Sequence, residues 1–115
     1  MTGFYSPVDM NDVVNVVKGG STVPLKFNVY NCNNVEITST SYILGQSATV
    51  AEYNCNSSPP DEVTIDVVNT GATALRYDGS QFIQNWRTPN NKGHCYVVRV
   101  TTIDGSYIQA LFKTK

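Results

Sequence analysis

Apolar and polar residues alternate along most of the chain. Every second side chain is apolar in residues 25–29, 96–100 and 108–112. Successive side chains of a strand point to opposite faces, so a period of two is typical of a strand with one buried face. No stretch has convincing helical periodicity, and the valine-rich residues 13–17 are β-branched and favour a strand. The pattern predicts an all-β protein.

Turn residues separate these segments at short intervals. Residues 76–82 and 102–108 each contain Asp-Gly-Ser between strand-like flanks. Asp-Gly suits the type I′ hairpin turn, which needs positive φ at both central residues. We therefore predict hairpin turns at Asp78-Gly79 and at Asp104-Gly105. About seven to eight short strands in one domain predict an antiparallel β-sandwich or a small barrel.

Pro24 and Lys26 interrupt the first clear strand. Proline has no N–H to donate to a sheet, so Pro24 belongs at the first residue of a strand or on an edge strand. Alternation then turns the apolar neighbours of Lys26 inward and Lys26 itself outward to solvent. A covalent bond from Lys26 to Asn85 or Asn28 is a further hypothesis, which requires a desolvated lysine beside a buried carboxylate.

The composition argues for one domain and against two kinds of partner, nucleic acid and membrane. A chain of 115 residues is sufficient for one domain, and its 15% of charged residues is low for a soluble domain. The net charge is −1, and the basic residues are scattered along the sequence. Nucleic-acid binding needs cations gathered on one face, so we expect no nucleic-acid partner. No apolar run approaches about 18 residues, so we expect no membrane insertion.

The three cysteines permit one disulfide and leave one thiol. None of them forms a Cys-x-x-Cys pair and the chain has a single histidine, which argues against a structural zinc site. One disulfide is expected in an oxidising compartment. Residues 56–58 also match an N-glycosylation sequon.

Candidate catalytic chemistry centres on His94, which lies beside Cys95. Catalytic Cys and His residues meet across a fold rather than as neighbours, so we interpret His94 as an exposed loop residue. The carboxylates occur as Asp9 with Asp12, and as Asp61 with Glu62 and Asp66. A glycosidase needs two carboxyl groups across a cleft, whereas loop carboxylates can also bind Ca²⁺. We expect no enzyme activity and no cofactor, with calcium as the alternative.

Trp86 is the single tryptophan. If it were exposed together with Tyr5, Tyr42 or Tyr107, these rings would form a sugar-stacking platform. A buried position would instead add a large apolar area to the core, and we predict this second arrangement.

Several segments together resemble the PxKF domain family. TVPLKF (residues 22–27) looks like its Pro-x-Lys-Phe signature. Further similar segments follow in order: LRYD (75–78), FIQNWRTP (82–89), GHCYVVRVTTIDGS (93–106) and ALFKTK (110–115). The resemblance covers about residues 14–115 and leaves 1–12 as an N-terminal segment or linker. From the length of the chain, we expect residues 1–115 to form a single module.

The resemblance implies a small immunoglobulin-like β-sandwich found in secreted and surface proteins of bacteria and archaea. It carries over no catalytic residue. The positions that match and look fold-defining are Pro24, Lys26, Phe27, Trp86 and Cys95. It also implies a disulfide between Cys55 and Cys95, for which Cys32–Cys55 is the competing pairing. Alternation places Cys95 on the strand face opposite Tyr96, so this bridge is expected at the rim of the sandwich.

These inferences predict a non-catalytic structural or adhesion module of a larger secreted or cell-surface protein. Its expected partners are neighbouring domains of the same chain or other surface proteins. One alternative is a carbohydrate-binding module that contacts glycans. The other is a self-assembling surface subunit that pairs through an edge strand, with the segment before Val13 as that strand.

Overall fold

The computed structural model describes residues 3–5, 8, 10, 13–61, 63, 65–66 and 74–115. These residues form ten strands: β1 (Val14–Val17), β2 (Thr22–Phe27), β3 (Val29–Tyr30), β4 (Glu36–Ile37), β5 (Thr49–Tyr53), β6 (Ile65–Asp66), β7 (Arg76–Tyr77), β8 (Phe82–Arg87), β9 (Cys95–Thr101) and β10 (Tyr107–Thr114). Two 3₁₀ turns, Thr40–Tyr42 and Leu44–Gln46, precede β5. Nothing in the described ranges forms a helix with the length and apolarity to cross a membrane. The all-β prediction is confirmed, and four two-residue strands raise the count above the expected seven to eight.

The strands form three sheets. The largest has the order β1-β10-β9-β5-β6, the second has the order β2-β8-β7, and β3 pairs with β4. The pairs are antiparallel except for β1 and β10, which run parallel from Val14 opposite Leu111 to Val17 opposite Thr114. The expectation of a purely antiparallel arrangement is therefore wrong at this pair, because β1 and β10 run in the same direction.

One apolar core contains side chains from the two larger sheets. The ring of Trp86 lies 5.0 Å from that of Phe112, which joins β8 to β10. Phe27 stacks on Phe82 with a centroid distance of 5.3 Å. Aromatic pairs of this kind add about 0.5–1.5 kcal/mol each beyond the area they bury. The apolar faces predicted from alternation are the faces that meet here.

The N-terminal segment packs against this core. Phe4 and Val8 are 5% and 4% exposed, and the ring of Phe4 meets that of Phe27 edge-on at 5.9 Å. The backbone N–H of Tyr5 donates to the carbonyl of Lys26 at 2.9 Å. Burial of these apolar side chains stabilises the contact between this segment and the core.

Strand β9 is buried on both faces. Tyr96, Val98 and Val100 enter the core, as alternation predicted. On the opposite face Cys95 and Val97 are 3% and 0% exposed, although we expected that face to be wet. The connection that follows β5 covers it, since it is bonded to β9 through the disulfide and through a hydrogen bond from Arg99 to the carbonyl of residue 61.

Pro24 is the third residue of β2, which is an edge strand. The carbonyl of Lys26 accepts from Tyr5 and so points away from β8. Backbone groups of an antiparallel strand alternate in direction, so Pro24 also faces the open edge, where a missing N–H costs no ladder bond. Of the two positions expected for Pro24, the edge strand is the one observed. The start of a strand, which the preceding Gly19-Gly20 favoured, is wrong because β2 begins at Thr22.

The turn between β1 and β2 lies against the loop that follows β8. A Cβ atom added at Gly19 would lie 2.1 Å from the carbonyl oxygen of Asn91, so a larger residue does not fit without a shift of the backbone. The hydroxyl of Thr88 donates to the carbonyl of Ser21 at 2.7 Å. These contacts fix the approach of β2 to β8.

Candidate functional site

The two Asp-Gly segments form hairpin loops, but not type I′ turns. Gly79 and Gly105 have φ of 104° and 92°, whereas neither preceding aspartate has positive φ. The carboxylate of Asp78 accepts from the backbone N–H of Ser80 at 2.9 Å and of Gln81 at 3.0 Å. The prediction of positive φ at both central residues is wrong, because each aspartate side chain accepts N–H groups of its own turn, beside backbone hydrogen bonds such as that from the N–H of Asp78 to the carbonyl of Gln81 (2.9 Å).

The same hydrogen bonds lower the pKa of both aspartates. The backbone N–H groups of Ser80 and Gln81 hold the pKa of Asp78 below its usual value. The hydroxyl of Thr102, with the backbone and side chain of Ser106, holds the pKa of Asp104 well below its usual range. Hydrogen bonds to the charged form favour that form. Both carboxylates are thus occupied in holding turns.

A polar cluster surrounds Glu36 on β4, and no sequence pattern pointed to it. The hydroxyl of Tyr77 donates to its carboxylate, and this bond raises the pKa of Tyr77 to about 12. The amide of Asn28 donates to the carbonyl of Ser80 at 2.9 Å and lies 3.4 Å from the carboxylate of Glu36. The hydroxyl of Tyr5 donates to the amide oxygen of Asn28 at 2.6 Å.

This cluster joins the N-terminal segment, β4 and β7. Tyr77 also packs edge-on against Phe82 of the core, 5.4 Å away. Each donor named in the cluster is already paired within the protein. The arrangement therefore favours a structural role, in which the cluster holds these segments together, over a site of proton transfer to a substrate.

His94 is exposed and pairs with Glu52. Its Nδ1 lies 2.9 Å from the carboxylate of Glu52, and the two side chains are 45% and 56% exposed. The pair forms because β5 lies beside β9, with Tyr53 opposite Cys95. The sulfur of Cys95 is bonded to another cysteine, so this structure gives His94 no adjacent thiol to activate.

The structure contains a disulfide between Cys55 and Cys95, the pairing that the resemblance implied. The Cα atoms are 5.3 Å apart, within the usual range for a disulfide. Cys95 is the first residue of β9, so the bridge lies at the end of that strand. Cys32 is a free and exposed thiol.

Lys26 lies on the outer face of β2, between the fully buried Leu25 and Phe27, and is partly exposed. Its cross-strand neighbour is Ile83, and the structure shows no salt bridge to it from any described carboxylate. The amide of Asn28 is engaged with Ser80, as described above. The contacts of Lys26 are those of a side chain on the outside of a sheet.

Trp86 is 1% exposed and contacts Tyr96 and Phe112. A sugar platform built on Trp86 therefore does not form. Of the tyrosines considered with it, Tyr107 is 52% exposed and stacks under Arg99 at 4.2 Å. The guanidinium of Arg99 also donates to Gln109 at 2.7 Å, which holds the pair in place.

The candidate calcium ligands are only partly described. Asp9, Asp12 and Glu62 lie outside the described residues, and so does the side chain of Asp66. Asp61 is exposed, and its carbonyl accepts from Arg99. Within the part of the chain that the structure describes, no three His, Cys, Asp or Glu residues gather as a metal site would require.

A groove of about 300 Å³ opens between β1 and β2, the neighbouring edges of the two larger sheets. Its apolar lining is Val14, Val16, Val17, Val23, Pro24 and Phe112. Val14 and Val16 are 42% and 56% exposed. At this surface, exposed apolar side chains lie beside an open strand edge.

Gln84 is a buried polar residue that the sequence pattern did not single out. It is fully buried on β8; its side-chain carbonyl accepts from the N–H of Ala48 at 2.8 Å and its amide donates to Ser47 at 3.0 Å. These bonds fix the start of β5 against β8. Alternation turns Gln84 inward with Phe82 and Trp86, but its partners come from a distant segment.

No family model, no curated protein and no solved structure matches this chain.

Proposed function

We propose that this chain is a non-catalytic, load-bearing structural or adhesion module of a larger secreted or cell-surface protein. The observation that carries this proposal is the parallel pairing of β1 with β10. The fold we propose is an immunoglobulin-like β-sandwich of the PxKF type, supported by the shared core of the two larger sheets and by the signature residues 24–27.

The parallel pair defines how the module would carry tension. The chain enters β1 at Val14 and leaves β10 at Thr114, and Val14 lies opposite Leu111. A pull on both ends slides the two strands past each other along their length. Their hydrogen bonds lie across this pull, so they share the load and must break together rather than one after another.

The disulfide supports an oxidising and therefore extracellular setting. Disulfides form and persist in secreted and surface proteins and are rare in the cytosol. Cys55–Cys95 anchors the long connection after β5 to the central strand β9. A module held in this way resists local opening of that connection, which suits a spacer exposed to proteases.

Single-molecule pulling tests the load-bearing role. Handles attached before Val14 and at Lys115 load β1 and β10 in shear. Handles at Gly93 and Lys115 are the matched control, because Gly93 donates to the carbonyl of Thr114 and this geometry peels β10 from β9 one pair at a time. We expect a clearly higher unfolding force in the first geometry at the same loading rate. Equal forces, or a lower force in the first geometry, would refute the proposal.

A further inference from the structure

The free edge of β1 has the properties of an interaction surface. β1 is the terminal strand of the five-stranded sheet, and among the described strands only β10 pairs with it. Lys115 donates to the carbonyl of Val17 at 2.9 Å, and Lys115 accepts from Gly19 at 3.3 Å. Backbone groups alternate along a strand, so Asn15 and Val17 bond toward β10, whereas Val14 and Val16 direct theirs to the open edge.

This edge lacks the usual protection against pairing. Proteins guard edge strands with charged residues, proline or bulges, and Val14–Val17 has none of these. Its outward side chains, Val14 and Val16, are exposed valines, which favour strand pairing. Leu111 lies beside Val14 on the same face and is only partly buried, so the apolar strip continues onto β10 there, whereas the exposed Lys113 lies beside Val16.

The sequence of the edge is nearly the same in both directions. Residues 13–17 read Val-Val-Asn-Val-Val, and they are preceded by Asp12 and followed by Lys18. An antiparallel copy centred on Asn15 therefore places valine opposite valine at four positions. In the same register, position 12 (aspartate) of each copy lies opposite position 18 (lysine) of the other.

We propose that two copies of this chain pair through β1, antiparallel and centred on Asn15. In this register Val14 faces Val16 of the second copy, and the two residues with outward backbone groups meet as hydrogen-bonded pairs. Shifting the centre to Val16 would set Val14 opposite Lys18 and lose the match. The five-stranded sheets of both copies then become one continuous sheet.

Sedimentation equilibrium over micromolar to millimolar concentrations tests the pairing. We expect the average mass of the wild-type chain to rise from that of one chain toward that of two. Val16→Lys places a charge on the exposed edge and should raise the dissociation constant at least about tenfold. Val35→Lys is the matched control, because Val35 is 57% exposed on the β3–β4 hairpin, outside the edge, and it should pair like the wild type.

A cysteine cross-link tests the register, in a Cys32→Ser background. Asn15→Cys should give a disulfide-linked dimer, since opposed residues of a non-hydrogen-bonded pair lie about 4.5 Å apart. Val13→Cys should not give this dimer, because Val13 lies opposite Val17 of the second copy, and the two cysteines would be four residues apart along the strand. Circular dichroism checks that each variant keeps its β-structure.

Each contrary result removes a defined part of the inference. A wild-type chain that stays monomeric at every concentration overturns the pairing and leaves the edge open to a strand of another protein. Dimers that persist in Val16→Lys, or that vanish in Val35→Lys, show that a different surface is used. Cross-linking through Val13→Cys instead of Asn15→Cys overturns the register. The pulling experiment uses isolated molecules, so its outcome does not depend on these results.

Discussion

Removal of the disulfide should destabilise the fold by about 4 kcal/mol. Cys55 and Cys95 are 40 residues apart in sequence. For a loop of that length the chain-entropy model gives roughly 13 cal/mol/K, or about 4 kcal/mol at 25 °C. Replacement of the buried Cys95 by alanine also removes a packed sulfur, at a cost of about 1 kcal/mol. We therefore expect Cys55→Ala/Cys95→Ala to lose about 4–5 kcal/mol of unfolding free energy.

Guanidinium denaturation followed by Trp86 fluorescence measures this loss. The unfolded chain without the bridge exposes more surface, so the slope of unfolding free energy against denaturant should rise in the variant. An unfolding entropy of about 2.1 cal/mol/K per residue predicts a fall in Tm of about 17–21 °C. The matched control is Cys32→Ala, which removes an exposed and unbridged thiol and should change stability by less than about 0.5 kcal/mol.

Two results would refute this reasoning. A loss below about 2 kcal/mol would mean that the connection after β5 is held without the bond, for example by Arg99 at the carbonyl of Asp61. A comparable loss in Cys32→Ala would show that thiol chemistry in general, and not closure of the loop, sets the stability.

Four further predictions follow from single side chains. Trp86→Ala should lose about 3–5 kcal/mol of unfolding free energy. In the wild-type chain, the emission of Trp86 should move to longer wavelength on unfolding, and a native spectrum already at long wavelength would contradict its burial. Lys26→Gln should change stability by less than about 0.5 kcal/mol, and an intact mass with no loss of ammonia would exclude a lysine–asparagine bond. The pKa of Asp104 is lower in the folded than in the unfolded chain, so its carboxylate stabilises the fold above the unfolded pKa, and this stabilisation is lost as the pH falls through the folded pKa. The unfolding free energy should therefore decrease below about pH 4, and it should decrease less in Asp104→Ala. Identical acid profiles of the two proteins would contradict this. A thiol reagent should label Cys32 alone in the folded protein, and labelling of Cys55 before reduction would show that the bridge is incomplete.

The buried faces could be predicted from the sequence because burial itself imposes a period of two. Leu25, Phe27 and Phe112 enter the core in the phase that alternation gives. The missing N–H of Pro24 limited it to the first residue of a strand or to an edge strand, and it lies on an edge strand. In both cases the information lies within a few neighbouring residues.

Features that depend on distant segments could not be predicted in this way. The outer face of Val97 is buried because a connection some forty residues earlier in the chain crosses β9. Glu36 and Tyr77 are 41 residues apart, and their bond requires β4 and β7 to meet. The prediction of type I′ turns was wrong for a local reason. The side chain of Asp78 accepts hydrogen bonds from the N–H groups of Ser80 and Gln81, which would otherwise be available to backbone carbonyls of the hairpin.

The bridge between Cys55 and Cys95 also determines what a break in the backbone would do. A cut at any peptide bond between these two residues leaves the upstream and downstream pieces covalently attached. A molecule cut once there would stay a single covalent species until a reductant acts, so the two pieces of the module would not separate.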